Sequence, residues 1–158
     1  SVVSSYESLS RTRVSGGMGR EWGTGEARIT SVRFLDAADR PSECFEYGKP
    51  LKAVLEYEAK SRIDRPVFGF AVADEQARTL YGNNTQVEKF QIDKIDGKGS
   101  VTLTLDSLRL AAGTYLFSFS LHSDDHRINY HRLDHWFPVT VKADKRFEGC
   151  YMECHWSQ

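Results

Sequence analysis

Fifteen consecutive residues, HSDDHRINYHRLDHW at 122 to 136, hold four of the chain's five histidines and three of its aspartates. Imidazoles and carboxylates at this density suit a metal site, acid–base catalysis, or a polar surface for a hydroxylated ligand. For a metal, His131 and His135 are four apart as in helical zinc sites. The segment has no helical apolar period, however, and no Glu follows His131 to act as base. His122, Asp124, Asp125 and His126 form an alternative donor set, although a loop rich in His and Asp is more often simply solvated. No metal and no cofactor are expected.

Catalysis makes stricter demands, because an acid–base pair needs carboxylates held at fixed separation in a shaped cleft. Asp124, Asp125 and Asp134 read instead as parts of one flexible connection. No G-x-S-x-G elbow, phosphate-binding glycine loop or H-E-x-x-H helix occurs, so an enzyme is not expected. A sugar needs flat aromatic faces flanked by amides, carboxylates, imidazoles and hydroxyls. Trp136 and Tyr130 are the candidate stacking residues, with His122 and Asp124 as hydrogen-bonding partners. If Phe137, Val139 and Val141 point inward, Trp136 points outward, on the parity that also exposes Ser118, Ser120 and His122. Trp136 and Tyr130 serve equally well as caps on the end of a sandwich. A second polar cluster, LYGNNTQ, offers Tyr81, Asn83 and Asn84 for sugar hydroxyls, or reads as a turn in which Asn tolerates left-handed angles.

The elements that must position these residues are strands. In KPLKAVLEYEAK, Leu51, Ala53, Leu55 and Tyr57 alternate with Lys52, Val54, Glu56 and Glu58, a half-buried strand. SVTLTLD repeats the device with Val101, Leu103 and Leu105 inward. In GTYLFSFSLHS, Tyr115, Phe117, Phe119 and Leu121 face the core. ARITSVRFLD, RPVFGFAVA, WFPVTVK and GCYMECHW complete about seven strands, with no convincing helix. Turn signals such as Asp96-Gly97 and Ala112-Gly113 separate them, and the whole predicts an antiparallel, all-β sandwich. In PVFGFAVA, Phe68, Phe70 and Val72 alternate with Gly69, Ala71 and Ala73, so the face away from the core is lined by small residues. Either a ligand in a shallow trough or another backbone can lie over such a face.

At 158 residues the chain suits one domain. Residues 1–24, with six Ser and four Gly, read as a linker or lead-in, and the domain is expected over 25–158. Twenty-one basic and 22 acidic side chains, net −1, give no electrostatic footprint for nucleic acid. The longest apolar run, VFGFAVA, is far short of the ~20 residues that span a bilayer. The first residues carry no secretory signal and no initiator Met, so a fragment of a longer protein is expected. Cys44, Cys150 and Cys154 are too few for a disulfide framework and read as free thiols in a reducing compartment. In GCYMECHW, Cys150, Met152, Cys154 and Trp156 share one face and Tyr151, Glu153 and His155 the other. A terminal strand on a tether pairs with its own sheet or is exchanged with a second copy, with Trp156 packed as core.

With these strands placed, the blocks GTGEARITSVRFLDA, FEYGKPLKAVLEYEA, PVFGFAVAD, LYGNNT, LRLAAGTYLFSFSLH and GCYMECHW, in this order and spacing from Trp22 to Trp156, resemble the carboxyl-terminal domain of the Wzt-type ATP-binding subunit of bacterial O-antigen polysaccharide ABC transporters. The resemblance implies an immunoglobulin-like β-sandwich, dimeric by exchange of its last strand. It further implies non-catalytic recognition of the capped, non-reducing end of an O-antigen polysaccharide. The implied partners are that polysaccharide, a second copy, the ATPase domain of the same subunit and the transporter's membrane subunit. The implied place is the cytoplasm, at the inner face of the inner membrane. No Walker motif occurs, so ATP hydrolysis is not expected. Two departures stand out: the first hairpin, DAADRPSECFEYG, lacks a Gly after its strand, and ligand contacts vary across the family, so no fixed site motif carries over. The alternative reading is an adaptor sandwich that docks a protein.

Overall fold

The structure is a computed structural model that describes residues 19–143 and 154–158. Ten strands run through them: β1 (Arg20–Trp22), β2 (Ala27–Leu35), β3 (Cys44–Glu46), β4 (Leu51–Asp64), β5 (Val67–Ala73), β6 (Thr79–Asn84), β7 (Lys94–Leu105), β8 (Gly113–His122), β9 (Asn129–Lys142) and β10 (Cys154–Ser157). The described residues contain no helix. One sheet has the order β1-β9-β8-β5-β6, with β3 parallel to β9 on the edge that β1 also uses. The other has the order β10-β7-β4-β2. All remaining pairings are antiparallel, and the all-β sandwich expected from the alternations is the fold found.

The inward residues are those the period of two selects: Leu51, Ala53, Leu55, Val101, Leu103, Leu105, Phe68, Phe117 and Val139 are all fully buried. Phe34 of β2 reaches across the interface into Phe117 and Phe137 of the opposite sheet, with ring centroids 5.5 and 5.6 Å apart in edge-on geometry. Tyr115, at the start of β8, donates its hydroxyl to the Ala111 carbonyl at 2.6 Å, a corner typical of immunoglobulin-like sandwiches. The glycine missing from the first hairpin is replaced by a side-chain device. Asp36 Oδ1 accepts the backbone N–H groups of Ala38 and Arg40, at 2.9 and 3.0 Å. Asp74 does the same for Gln76 and Arg78. Both turns place a non-glycine residue, Asp39 or Ala77, at positive φ.

Three short strands, β1, β3 and β6, were not visible in the alternation, and two expectations shift with them. Strand pairing begins before Gly25, because β1 pairs with β9 from Arg20 and Thr24 and Gly25 bond Asn129 and Tyr130. The histidine stretch is not one loop either. Only residues 123–128 connect β8 to β9, and the rest of it is strand. At the other end, β10 pairs with β7 of the same sheet, and Trp156 packs as core beside Phe70 at 6.0 Å. Cys44 and Cys154 are free thiols, and burial pushes Cys154 up to about 11. Cys150, Tyr151, Met152 and Glu153 lie outside the described residues.

His131 joins both sheets. Its Nδ1 accepts the Ile29 N–H at 2.9 Å, at the bulge in β2, and its Nε2 donates to Glu21 of β1 at 2.7 Å. The bond from Ile29 requires an unprotonated Nδ1, so the neutral tautomer is built into the fold. Burial holds His131 below the ordinary imidazole value of 6.5, against the opposing pull of Glu21. The sign follows from linkage. The unfolded chain takes up protons first as pH falls below about 6.5, so this stabilisation is complete above that pH and is lost on acidification. Thermal unfolding measured from pH 7.5 to 5 is therefore expected to show falling stability below pH 6.5, with a shallower fall in His131→Gln; equal slopes in the two proteins contradict the assignment.

Candidate functional site

The outer face of the β9-β8-β5-β6 sheet carries the candidate site. Because Phe68, Phe70, Phe117 and Phe119 fill the core, the residues between them are forced outward. Gly69 stands opposite Ser120, and Ala71 opposite Ser118. Register extends this into a row across five strands, Trp22, Arg132, Ser120, Gly69 and Asn84, roughly 19 Å long at the usual strand spacing. The small side chains leave a groove of about 490 Å³, floored by Gly69, Ala71, Ser118 and Ser120 and bounded by Asn84, His122, His126 and Arg132. A Cβ on Gly69 would lie 2.7 Å from Ser120 Oγ, so only glycine keeps the floor this low.

The groove is rich in directed polar groups. His122 Nδ1 lies 2.8 Å from the Ser123 carbonyl, which can only accept, so Nδ1 carries the proton and Nε2 is an acceptor. Burial pushes His122 below its ordinary value, against the opposing hydrogen bond to Ser123, and the nearby guanidinium of Arg132 adds to the lowering. His126 lies over it, ring centroids 4.5 Å apart. Gln86 fixes that loop by binding His126 Nε2 through Oε1 at 2.6 Å and the Asp124 carbonyl through Nε2 at 3.1 Å. Asn84 Oδ1 accepts the Val87 N–H at 2.8 Å, which orients its amide nitrogen as a donor. The left-handed turn expected at Asn83 and Asn84 is not found: both end β6, and the Asn84 side chain caps the turn that follows.

Of the residues singled out from the sequence, His122 and Asn84 meet in the groove. Tyr81 and Asn83 line it too, but they stand opposite Val72 and Phe70, and so their side chains lie on the core side. There Asn83 Nδ2 donates to Glu88 at 2.5 Å and to the Tyr81 hydroxyl at 3.2 Å. Asp124 faces a separate groove of about 370 Å³, where its carboxylate pairs with Arg65 at 3.2 Å. Trp136 and Tyr130 are corrections. Phe137 faces Phe117 and Leu133 faces Phe119, so Asp134, His135 and Trp136 stand together opposite Ser118. This bulge, with His135 at φ 48°, turns Trp136 into the core at 5% exposure. A second irregularity beside His122 does the same for Tyr130. Neither presents an open stacking face.

The histidines do not assemble a metal site. Both ring nitrogens of His131 are committed, and no group of three His, Cys, Asp or Glu side chains converges among the described residues. Asp125 is taken up by its own loop, accepting from the Ser123 hydroxyl at 2.6 Å and the Arg127 N–H at 3.1 Å.

The sequence reading missed Trp22 and Arg132. Trp22 is 36% exposed, donates its indole N–H to Asp134 at 2.6 Å, and lies against the guanidinium groups of Arg20 and Arg132. One signal was present in Gly23. At φ 139°, a Cβ there would come within 2.4 Å of the Tyr130 carbonyl oxygen. A glycine was required because β1 docks so closely on β9.

These features define a class before any comparison: an immunoglobulin-like β-sandwich with an open polar groove on one sheet face. The family model described as the Wzt C-terminal domain matches residues 19–152, and the chain belongs to that family. A crystal structure of the C-terminal domain of Wzt superposes with a TM-score of 0.76 at 16% identity, covering 87% of this chain and 85% of that one. A Niemann-Pick type C2 protein from the Japanese carpenter ant has a TM-score of 0.52 at 7% identity, covering 78% of this chain and 99% of its own. At these identities the likeness is one of fold. The comparison with curated proteins returns no match.

Gly23→Ala is expected to destabilise the domain by about 1–3 kcal/mol, through strain and the loss of β1 docking. Chemical denaturation followed by tryptophan fluorescence checks this, and an unchanged midpoint contradicts the tight docking of β1.

Proposed function

We propose that this chain is a non-catalytic module that binds the capped, non-reducing end of a bacterial O-antigen polysaccharide in the groove over β5 and β8, and so couples chain completion to export. The observation that carries this reading is the groove itself. Its floor of Gly69, Ala71, Ser118 and Ser120 is low enough for a sugar ring to approach the backbone, and its rim offers donors and acceptors of fixed direction. Such groups match pyranose hydroxyls. Family membership supplies the context.

Affinity per site is weak in this account, because each sugar hydroxyl exchanges water for protein at a net gain of about 1 kcal/mol. A dimer raises it by presenting two grooves to one glycan population. Exchange of β10 fits that assembly, since it is a short edge strand that carries its own anchor, Trp156, into the core. The module works in the cytoplasm beside the ATPase domain of its own subunit and the transporter's membrane subunit. Nucleic acid is not a partner.

Calorimetric titration with the source organism's O-polysaccharide, capped and uncapped, tests the proposal. The capped chain is expected to bind. Gly69→Val should weaken it at least about tenfold by filling the floor, and Asn84→Ala about fivefold by removing one hydrogen bond. Binding unchanged in both folded variants contradicts the groove assignment. Capture of a protein with no glycan binding favours the adaptor reading.

A further inference from the structure

We infer that the Arg132 end of the groove receives an anionic substituent of the glycan, a carboxylate or a phosphate, in preference to a neutral hydroxyl. This rests on the reading of the groove as a glycan site and adds the chemical class of its ligand. Arg132 bounds the groove as a permanent cation beside the imidazoles of His122 and His126, and no Asp or Glu is among the described residues that line it. Arg132 is also held in place before any ligand arrives. Its Nε donates to Asp134 at 3.3 Å and its Nη1 to Asn129 at 3.4 Å. Its guanidinium lies 5.6 Å from the centre of the Trp22 ring. Trp22 is pinned in turn by its bond to the other oxygen of Asp134.

An ordinary surface ion pair explains less. The bond to Asp134 is single and runs through Nε, so the two bonds use two of the five guanidinium N–H groups, and Nη2 is in neither. A planar guanidinium with its terminal edge open suits carboxylate and phosphate geometry better than a lone hydroxyl. Asp134 has one oxygen on Trp22 and the other on Arg132, which makes it a support behind the cation. The guanidinium charge of Arg132 acts against protonation of His122, so its field reaches into the groove. An anion there meets charge already in position, in a site partly screened from water.

Three sugars of one ring test this on the 158-residue chain: D-glucose, D-glucuronate and D-glucose 6-phosphate, each titrated while the backbone amides of Gly69, Ser120 and His122 are followed by NMR. At least one anionic sugar is expected to saturate these shifts at a concentration about tenfold or more below that of glucose. Which one does so tells carboxylate from phosphate. Added salt should shrink the advantage, and Arg132→Gln, verified as folded by its thermal midpoint, should bring the ratio close to one. Equal affinities for the neutral and anionic sugars, or an advantage that survives Arg132→Gln, overturn the inference and leave the groove reading intact. Absence of groove shifts with all three sugars overturns both.

Discussion

The register between β5 and β8 is the constraint on which the site depends. Phe70 faces Phe119 and Gly69 faces Ser120. The first pair anchors the core, and the second, one residue away, sets the depth of the groove. Because side chains alternate with a period of exactly two, the pairings cannot be separated, and a slip of one residue would bring phenylalanines onto the groove floor and hydroxyls into the core. The burial that stabilises the sandwich therefore also shapes its binding face.

Around this pair the remaining strands supply walls. β9 brings Arg132 and Asn129 to the same face, and β6 brings Asn84. The irregular places are where polar function is concentrated: the bulge in β9 lets the His135 N–H bond Ser118 Oγ at 2.8 Å, and the bulge in β2 frees the Ile29 N–H for His131. Bulges re-aim side chains at a small cost in pairing. Here they admit polar residues to a buried strand with their hydrogen bonds satisfied.

Much of this was legible in the sequence. The alternation in residues 51–57, 101–105 and 115–121 gave the core face, and the small residues interleaved in PVFGFAVA predicted a trough where the groove lies. His122 and Asn84, singled out by their chemistry, both line that groove. The outward alternative for Trp136 carried parity across a bulge that leaves no mark in composition, and Tyr130, for which both alternatives stood, is buried beside a second irregularity. Trp22 was missed because its partners are remote in sequence: Asp134 is 112 positions away, and a three-residue strand is too short for a period to show. Asp124 lines a different groove for a related reason, since its partner Arg65 comes from a different connection. Local pattern reads faces well, whereas convergence of distant residues is decided by pairing register.

The most direct test of the central claim, that the outer face of β5 and β8 is where glycan binds, is a structure of the chain bound to a terminal fragment of its O-polysaccharide. The account predicts the terminal sugar over Gly69 and Ala71, in contact with Asn84 and His122. A fragment bound at the groove beside Phe90 and Asp124, or at a sheet edge with the face over β5 and β8 empty, would contradict it.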